Sequence, residues 1–276
     1  MSAPGASHEF PAKPVSWQKR DVLLFANSIG CKADELQFLY ELHPSFSVFP
    51  TYPLILHQEV TNFYERQSAV HIPGVPKLDH RHGVDGQRKL TILKPLPPTS
   101  AGRKFELRNK VIGVYDKGKP GTVMETEQSI VDAESGEVYS KGKAPDATHV
   151  IQSTNETAHL YRLNGDYNPL HATPEPGQKM GFGGIIIHGL FSWNSAAHGI
   201  LRELGGSNPD NIKEFQARFA SPVRPNDKLT TEIWRMGDVQ ADGFEEVRFT
   251  TKNQTGKVVL SNGRCLLKVV SPKSKL

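Results

Sequence analysis

Apolar positions along the chain change period with position. Residues 17–30, "WQKRDVLLFANSIG", carry them at helical spacing, which predicts an amphipathic helix ended by Gly30. "ELQFLYEL" and an extended stretch, "SFSVFPTYPLIL", follow. From about residue 88 the pattern becomes alternating: "KLTILKPLP", "KFELRNKVIGVYDKG" and "GTVMETEQSIVDAESGEVYSKG", with turns at Asp116-Lys117-Gly118 and Glu134-Ser135-Gly136. This reads as an antiparallel meander. The polar stretch "KGKAPDATHVIQSTNE", with Ala144-Pro145-Asp146, is the natural link to a second half.

That second half repeats the theme. "GGIIIHGLFSWNSAAHGILRELGG", residues 183–206, is apolar or small nearly all round. It predicts a buried helix over about 184–204, stopped by Gly205-Gly206. "FQARFASPVRPNDKLTTEIWRMGDV", "GFEEVRFTTKNQTGKVVLSNG" and "RCLLKVVS" then alternate, with a turn at Gln254-Thr255-Gly256. "DAESGEVYSKG" and "KNQTGKVVLSNG" are alike at an offset of half the chain, Gly136 lying 120 positions before Gly256. A long buried helix beside a curved antiparallel sheet gives an α+β arrangement.

Composition adds boundaries. The 276 residues, 37% of them hydrophobic, suffice for a substantial core in one large or two small domains. A net charge of +4 with no basic helix face does not point to nucleic acid, and suits an anionic small ligand. Cys31 and Cys265 form no CxxC pair and read as free thiols, so neither disulfides nor cysteine-held zinc are expected. The N-terminus has no secretory apolar region, and no apolar run reaches membrane-spanning length. The chain ends in Ser274-Lys275-Leu276, a peroxisomal address read by an import receptor. Chance would place it there about once in several thousand chains.

The segment with the densest chemistry is "YRLNGDYNPLH", Tyr161 to His171. Gly165-Asp166 and Asn168-Pro169 are turn dipeptides, so this is a loop after a short helix, "TNETAHLYRL", capped near Thr154 or Asn155. Asp166 and His171 flank the proline bend and can converge on one water, while Asn168 can orient that water or a carbonyl. The same spacing also suits Asp and Asn closing turns on their own backbone.

With "GFGGIIIHGL" downstream, the G-D-x-N-P-x-H core resembles the MaoC-like dehydratases, specifically the eukaryotic hydratase 2 enzymes, over nearly the whole chain. "KRDVLLFANSIG", "LKPLP" and "ARFASPVRPNDKLTTEIW" support the resemblance. It implies a double hot dog: two repeats, residues 1–145 and 146–272, each a curved antiparallel sheet around a helix, with 273–276 as an exposed targeting tail. It implies (R)-specific hydration of 2-enoyl-CoA, the reverse dehydration of (3R)-hydroxyacyl-CoA, a peroxisomal homodimer, and no metal or redox cofactor. Asp166 and His171 would be the catalytic pair, assisted by Asn168, and Gly189 would give a backbone N–H to the thioester oxygen. Tyr161, Gly165, His188 and Arg218 would contribute to substrate binding. Where hydratase 2 enzymes commonly read H-G-E-Q, this chain has Asp85-Gly86-Gln87-Arg88, which bears on substrate range.

Other features read as bland. His80-Arg81-His82 lacks a third metal ligand at a recognised spacing. His188 and His198 are expected on the buried helix, one or both as hydrogen-bonded core residues, with His188 also a candidate to back the site without touching substrate, and Phe191 and Trp193 as core. Arg218, Arg224 and Lys228 suit either CoA phosphates or a solvated strand face. A hot-dog acyl-CoA thioesterase and a non-catalytic acyl-CoA binder are the competing readings.

Overall fold

The computed structural model describes residues 5–56, 72–76, 86–116, 122–129 and 145–270. The turns expected at 116–118 and 134–136, the His80–His82 cluster, the first-half member of the duplication and the 273–276 tail lie wholly or partly outside them. The first half holds strand β1 (Lys13–Val15), helices α1 (Lys19–Ser28) and α2 (Leu36–Leu39), and strands β2 (Gln87–Thr91), β3 (Phe105–Asp116) and β4 (Thr122–Ser129). The second holds β5 (Ala147–Gln152), α3 (Thr157–Tyr161), α4 (Pro174–Lys179), α5 (Gly189–Gly205), β6 (Ile212–Phe219), β7 (Lys228–Val239), β8 (Glu245–Lys252) and β9 (Val258–Leu267).

Among the described residues two antiparallel sheets form, ordered β1-β3-β4 and β2-β6-β9-β8-β7-β5. The strand β2, from the first half, completes the second half's sheet, with Gln87 opposite Arg218 and Thr91 opposite Glu214. Alternation sorts the faces of this six-stranded sheet. Phe215, Cys265, Val247, Phe249 and Ile233 share buried register positions, and Lys89, Glu214, Arg264 and Glu246 form ion pairs.

The buried helix α5 lies against the apolar face. Trp193 meets Phe215 edge-on with ring centroids 4.4 Å apart, and Phe215 stacks on Phe249 at 4.8 Å. Gly199 allows the closest approach: a Cβ there would fall 2.5 Å from the ring of His149 on β5. First-half residues Trp17, Phe25, Phe38 and Phe49 join the same core. The two halves therefore share buried surface, each large side chain contributing about 1.5–3 kcal/mol on full burial.

The expected start of the long helix needs correcting. Residues 184–188 are not helical. Gly183 and Gly184 have φ of +78° and +145°, and Ile187 forms an isolated bridge with Val223. His188 is the N-cap at φ −52°, ψ 132°, so it is not on the helix proper, and the first helical residue is Gly189. The apolar run "GGIII" has no period that distinguishes extended backbone from helix. The C-terminal end is as expected, with Gly206 at φ +61° as the left-handed cap.

Candidate active site

The segment between α3 and α4 is built from two tight turns. Arg162–Asn164 form a 3-10 turn ended by Gly165 at φ +108°, a conformation that favours glycine. Asp166 and Tyr167 follow, and Pro169–His171 form a second 3-10 turn. Asn168 organises it: its Oδ1 accepts the Leu170 N–H at 2.9 Å, and its own N–H donates to Asp166 Oδ1 at 3.2 Å. The bland turn-closing reading of Asn168 is thus what its oxygen does. The first turn is tied to α1 by Asn164, whose Nδ2 donates to Ser28 Oγ at 3.0 Å.

The second turn is tied to the approach to α5. His171 Nδ1 lies 2.7 Å from the carbonyl oxygen of Ile186, and the Ile186 N–H returns to the Leu170 carbonyl at 3.4 Å. His188 Nε2 lies 3.1 Å from the Asp166 carbonyl oxygen. The His171 and His188 rings stack, with centroids 3.8 Å apart and planes 29° from parallel. Asp166, His171 and His188 place ligand atoms within 4.8 Å of one another. Behind them Tyr161 is fully buried, its ring 5.1 Å from that of His188 and its hydroxyl accepting from Asn194 Nδ2 at 2.9 Å.

These contacts settle protonation. A carbonyl only accepts, so Nδ1 of His171 carries the proton and the neutral ring keeps its lone pair on Nε2. Burial pushes the His171 pKa below the ordinary imidazole value, partly opposed by the Asp166 carboxylate and the bond to Ile186. Burial, followed by the neighbouring His171, pushes His188 well below it. Both rings are neutral near pH 7. They do not suit a metal: ring lone pairs lie in plane, and stacked rings cannot aim them at one ion.

Gly189 opens the 17-residue α5 and is exposed. Among the described residues its N–H meets no acceptor, as expected in the first turn of a helix. A Cβ at Gly189 would lie 3.1–3.2 Å from ring atoms of Phe219 on β6, so this glycine keeps the helix N-terminus open beside that ring. The site thus gathers a carboxylate, a neutral imidazole and a helix N-terminus.

The remaining candidates lie elsewhere or face inward. Gly165 is buried in the turn, and Tyr161 and His188 are held by protein partners. Arg218 is exposed on β6, next to Phe219 and opposite Gln87 and Ser261. Arg224 is used structurally, donating to the Phe182 carbonyl at 2.7 Å. The Ile186 carbonyl and the Phe219 ring were not legible in the sequence: one is a backbone group, the other lies 30 positions beyond Gly189.

An antiparallel sheet packed around a buried helix, as formed here by β5 to β9 and α5, is the hot-dog arrangement. Residues 15–144 match the MFE-2 hydratase 2 N-terminal domain and residues 138–258 the MaoC like domain. A probable dehydratase of Ajellomyces capsulatus is 46% identical over 305 residues, covering 94% of this chain and 81% of that protein. A peroxisomal enoyl-CoA hydratase 2 of Arabidopsis thaliana is 28% identical over 301 residues, covering 92% of each. The crystal structure of a MaoC-like dehydratase from Phytophthora capsici superposes with a TM-score of 0.77 at 28% identity, covering 95% of both chains. The chain belongs to the MaoC-like dehydratase family, in its hydratase 2 branch, and is an enzyme of the hydro-lyase class.

Proposed function

We propose that the chain is an (R)-specific 2-enoyl-CoA hydratase, acting reversibly as a (3R)-hydroxyacyl-CoA dehydratase. The observation that carries this is the grouping of Asp166 and His171 within 4.8 Å of each other and of His188, the N-cap residue that directly precedes Gly189 at the start of α5. Hydration of a 2-enoyl thioester needs a proton removed from water as its oxygen attacks C3, and a proton delivered to C2. Asp166 and His171 hold the water between them and carry out both transfers on one face of the double bond, a syn addition. Negative charge develops on the thioester oxygen, where the Gly189 N–H and the positive end of α5 stabilise it. Asn168 shapes the loop that presents the pair. Gly165 permits its backbone, and Tyr161 braces it from behind. Arg218 on the adjoining strand is the candidate partner for CoA phosphate.

The test is incubation with crotonyl-CoA, following enoyl absorbance and free thiol together and resolving the hydroxyacyl product by chirality. Loss of absorbance without thiol, and a (3R) product, support the proposal. Thiol release would favour a thioesterase, and binding without turnover an acyl-CoA carrier.

The proposal extends to setting. A named peroxisomal relative supports action in peroxisomal acyl-CoA metabolism, with import through Ser274-Lys275-Leu276. We assign the two repeats to residues 1–145 and 146–272, interlocked by β2, with a homodimer as the assembly.

A further inference from the structure

His188 was expected to contact substrate, yet its residue is only 1% exposed, so an enoyl-CoA cannot reach its side chain. We propose instead that His188 is the positioning residue that registers the acid, the base and the oxyanion donor to one another. This rests on the assignment of Asp166, His171 and Gly189 to hydration.

Three contacts of one residue carry the inference. Its Nε2 donates to the Asp166 carbonyl oxygen at 3.1 Å, fixing the backbone from which the carboxylate springs. The face of the same ring stacks on His171 at 3.8 Å. Its own carbonyl carbon is bonded to the nitrogen of Gly189, because His188 is the N-cap of α5. Asp166 and His171 sit on a loop of two short turns, and the bond from His171 to Ile186 ties that loop to the approach to α5. His188 adds, with one side chain, contacts to both Asp166 and His171 from the N-cap of α5 itself. Tyr161 lies against His188 at 5.1 Å, and the Asn194 amide anchors the Tyr161 hydroxyl from within α5. The ring is thereby held in one orientation.

The chemistry of the ring supports this use. With Nε2 as donor, Nδ1 is left as a buried acceptor, and it has no hydrogen-bond partner among the described residues. Such a buried, unpaired acceptor carries a desolvation cost. A phenyl ring would fill the same space and stack on His171 without that cost. What the imidazole adds is the N–H to Asp166. A shift of about 1 Å in reacting groups is enough to reduce turnover by on the order of 10²-fold.

Two variants separate the contributions. His188→Phe keeps the stacked ring and loses the donor, whereas His188→Gln keeps an N–H at comparable reach and loses the ring. Hydration of crotonyl-CoA is measured for both, with melting temperature, and with Asp166→Asn and His171→Ala assayed in parallel. The expected result is a folded Phe variant with kcat reduced about 10–100-fold and KM within about twofold of wild type, and partial recovery of kcat in the Gln variant. A folded Phe variant with wild-type kcat would overturn the inference. Activity falling only with the folded fraction, or failure of both variants to fold, would also overturn it and make His188 purely structural. If Asp166→Asn and His171→Ala remain fully active, the assignment of the pair fails and the positioning role falls with it, an outcome distinct from an active His188→Phe beside inactive pair variants.

Discussion

The Nδ1 of His171 and the carbonyl oxygen of Ile186 lie 2.7 Å apart, and this hydrogen bond fixes which ring nitrogen can act as a base. The proton sits on the side facing Ile186, so the lone pair of Nε2 is the basic position. An imidazole so held is useful only while neutral.

The pH dependence follows from that state. Burial, the larger cause, lowers the His171 pKa below 6.5, with Asp166 and the Ile186 bond opposing it. Protonation, which removes the base, therefore sets in only as pH falls beneath that value. The acid limb of a kcat/KM profile should therefore be centred below 6.5. A limb centred above 6.5 would assign it to another group.

Gly189→Ala tests the oxyanion donor without removing it. The new methyl would sit 3.1–3.2 Å from the Phe219 ring, which must move aside, and would crowd the helix N-terminus. Turnover is expected to fall about tenfold or more, with melting temperature little changed. Equal losses of stability and activity would place Gly189 in packing alone.

Gly199 makes the opposite prediction. Its methyl variant meets the Cβ, Cγ and Cδ2 of His149 at 2.5–2.7 Å, contacts that demand backbone movement. Gly199→Ala should destabilise the protein by about 1–3 kcal/mol by overpacking, despite the better helix propensity of alanine. Specific activity of the folded fraction, read with the denaturation curve, should be retained.

The sequence revealed most where local pattern and tertiary demand agree. Strands β6 to β9 were legible because alternating residues such as Phe215, Val247 and Cys265 bury one face. The α5 helix was legible from its small and apolar residues, but its start was not: "GGIII" suits helix and strand equally, and the bridge of Ile187 to Val223 decides between them. The Asp166–His171 pair was legible from the proline bend and from family resemblance. Its fixed tautomer and its clamp by His188 were not, because both depend on backbone carbonyls brought close by folding.

A second buried pair sits farther along α5. His198 Nε2 lies 2.8 Å from Glu35 Oε2, and Glu35 also accepts from Ser207 Oγ at 2.5 Å and the Lys32 N–H at 2.9 Å. Burial alone would raise the Glu35 pKa; the bond and charge of His198, then Ser207 and Lys32, outweigh it and bring it to about 2. A depressed carboxylate contributes stability above its unfolded value of 4.5 and loses it as pH falls toward 2. Glu35→Gln should lower stability at neutral pH by about 3–5 kcal/mol and flatten the acid slope in that window. An unchanged slope in acid denaturation would mean that other carboxylates set it.

The central claim is that Asp166 and His171 hydrate an enoyl thioester together, and Asp166→Asn tests it most directly. The carboxamide is isosteric and leaves Oδ1 able to accept the Asn168 N–H, so the loop should persist. Crotonyl-CoA hydration, followed by enoyl absorbance, should show kcat reduced by about 10²–10⁴-fold with KM and melting temperature near wild type. A folded variant that hydrates crotonyl-CoA at a near wild-type rate would contradict the account.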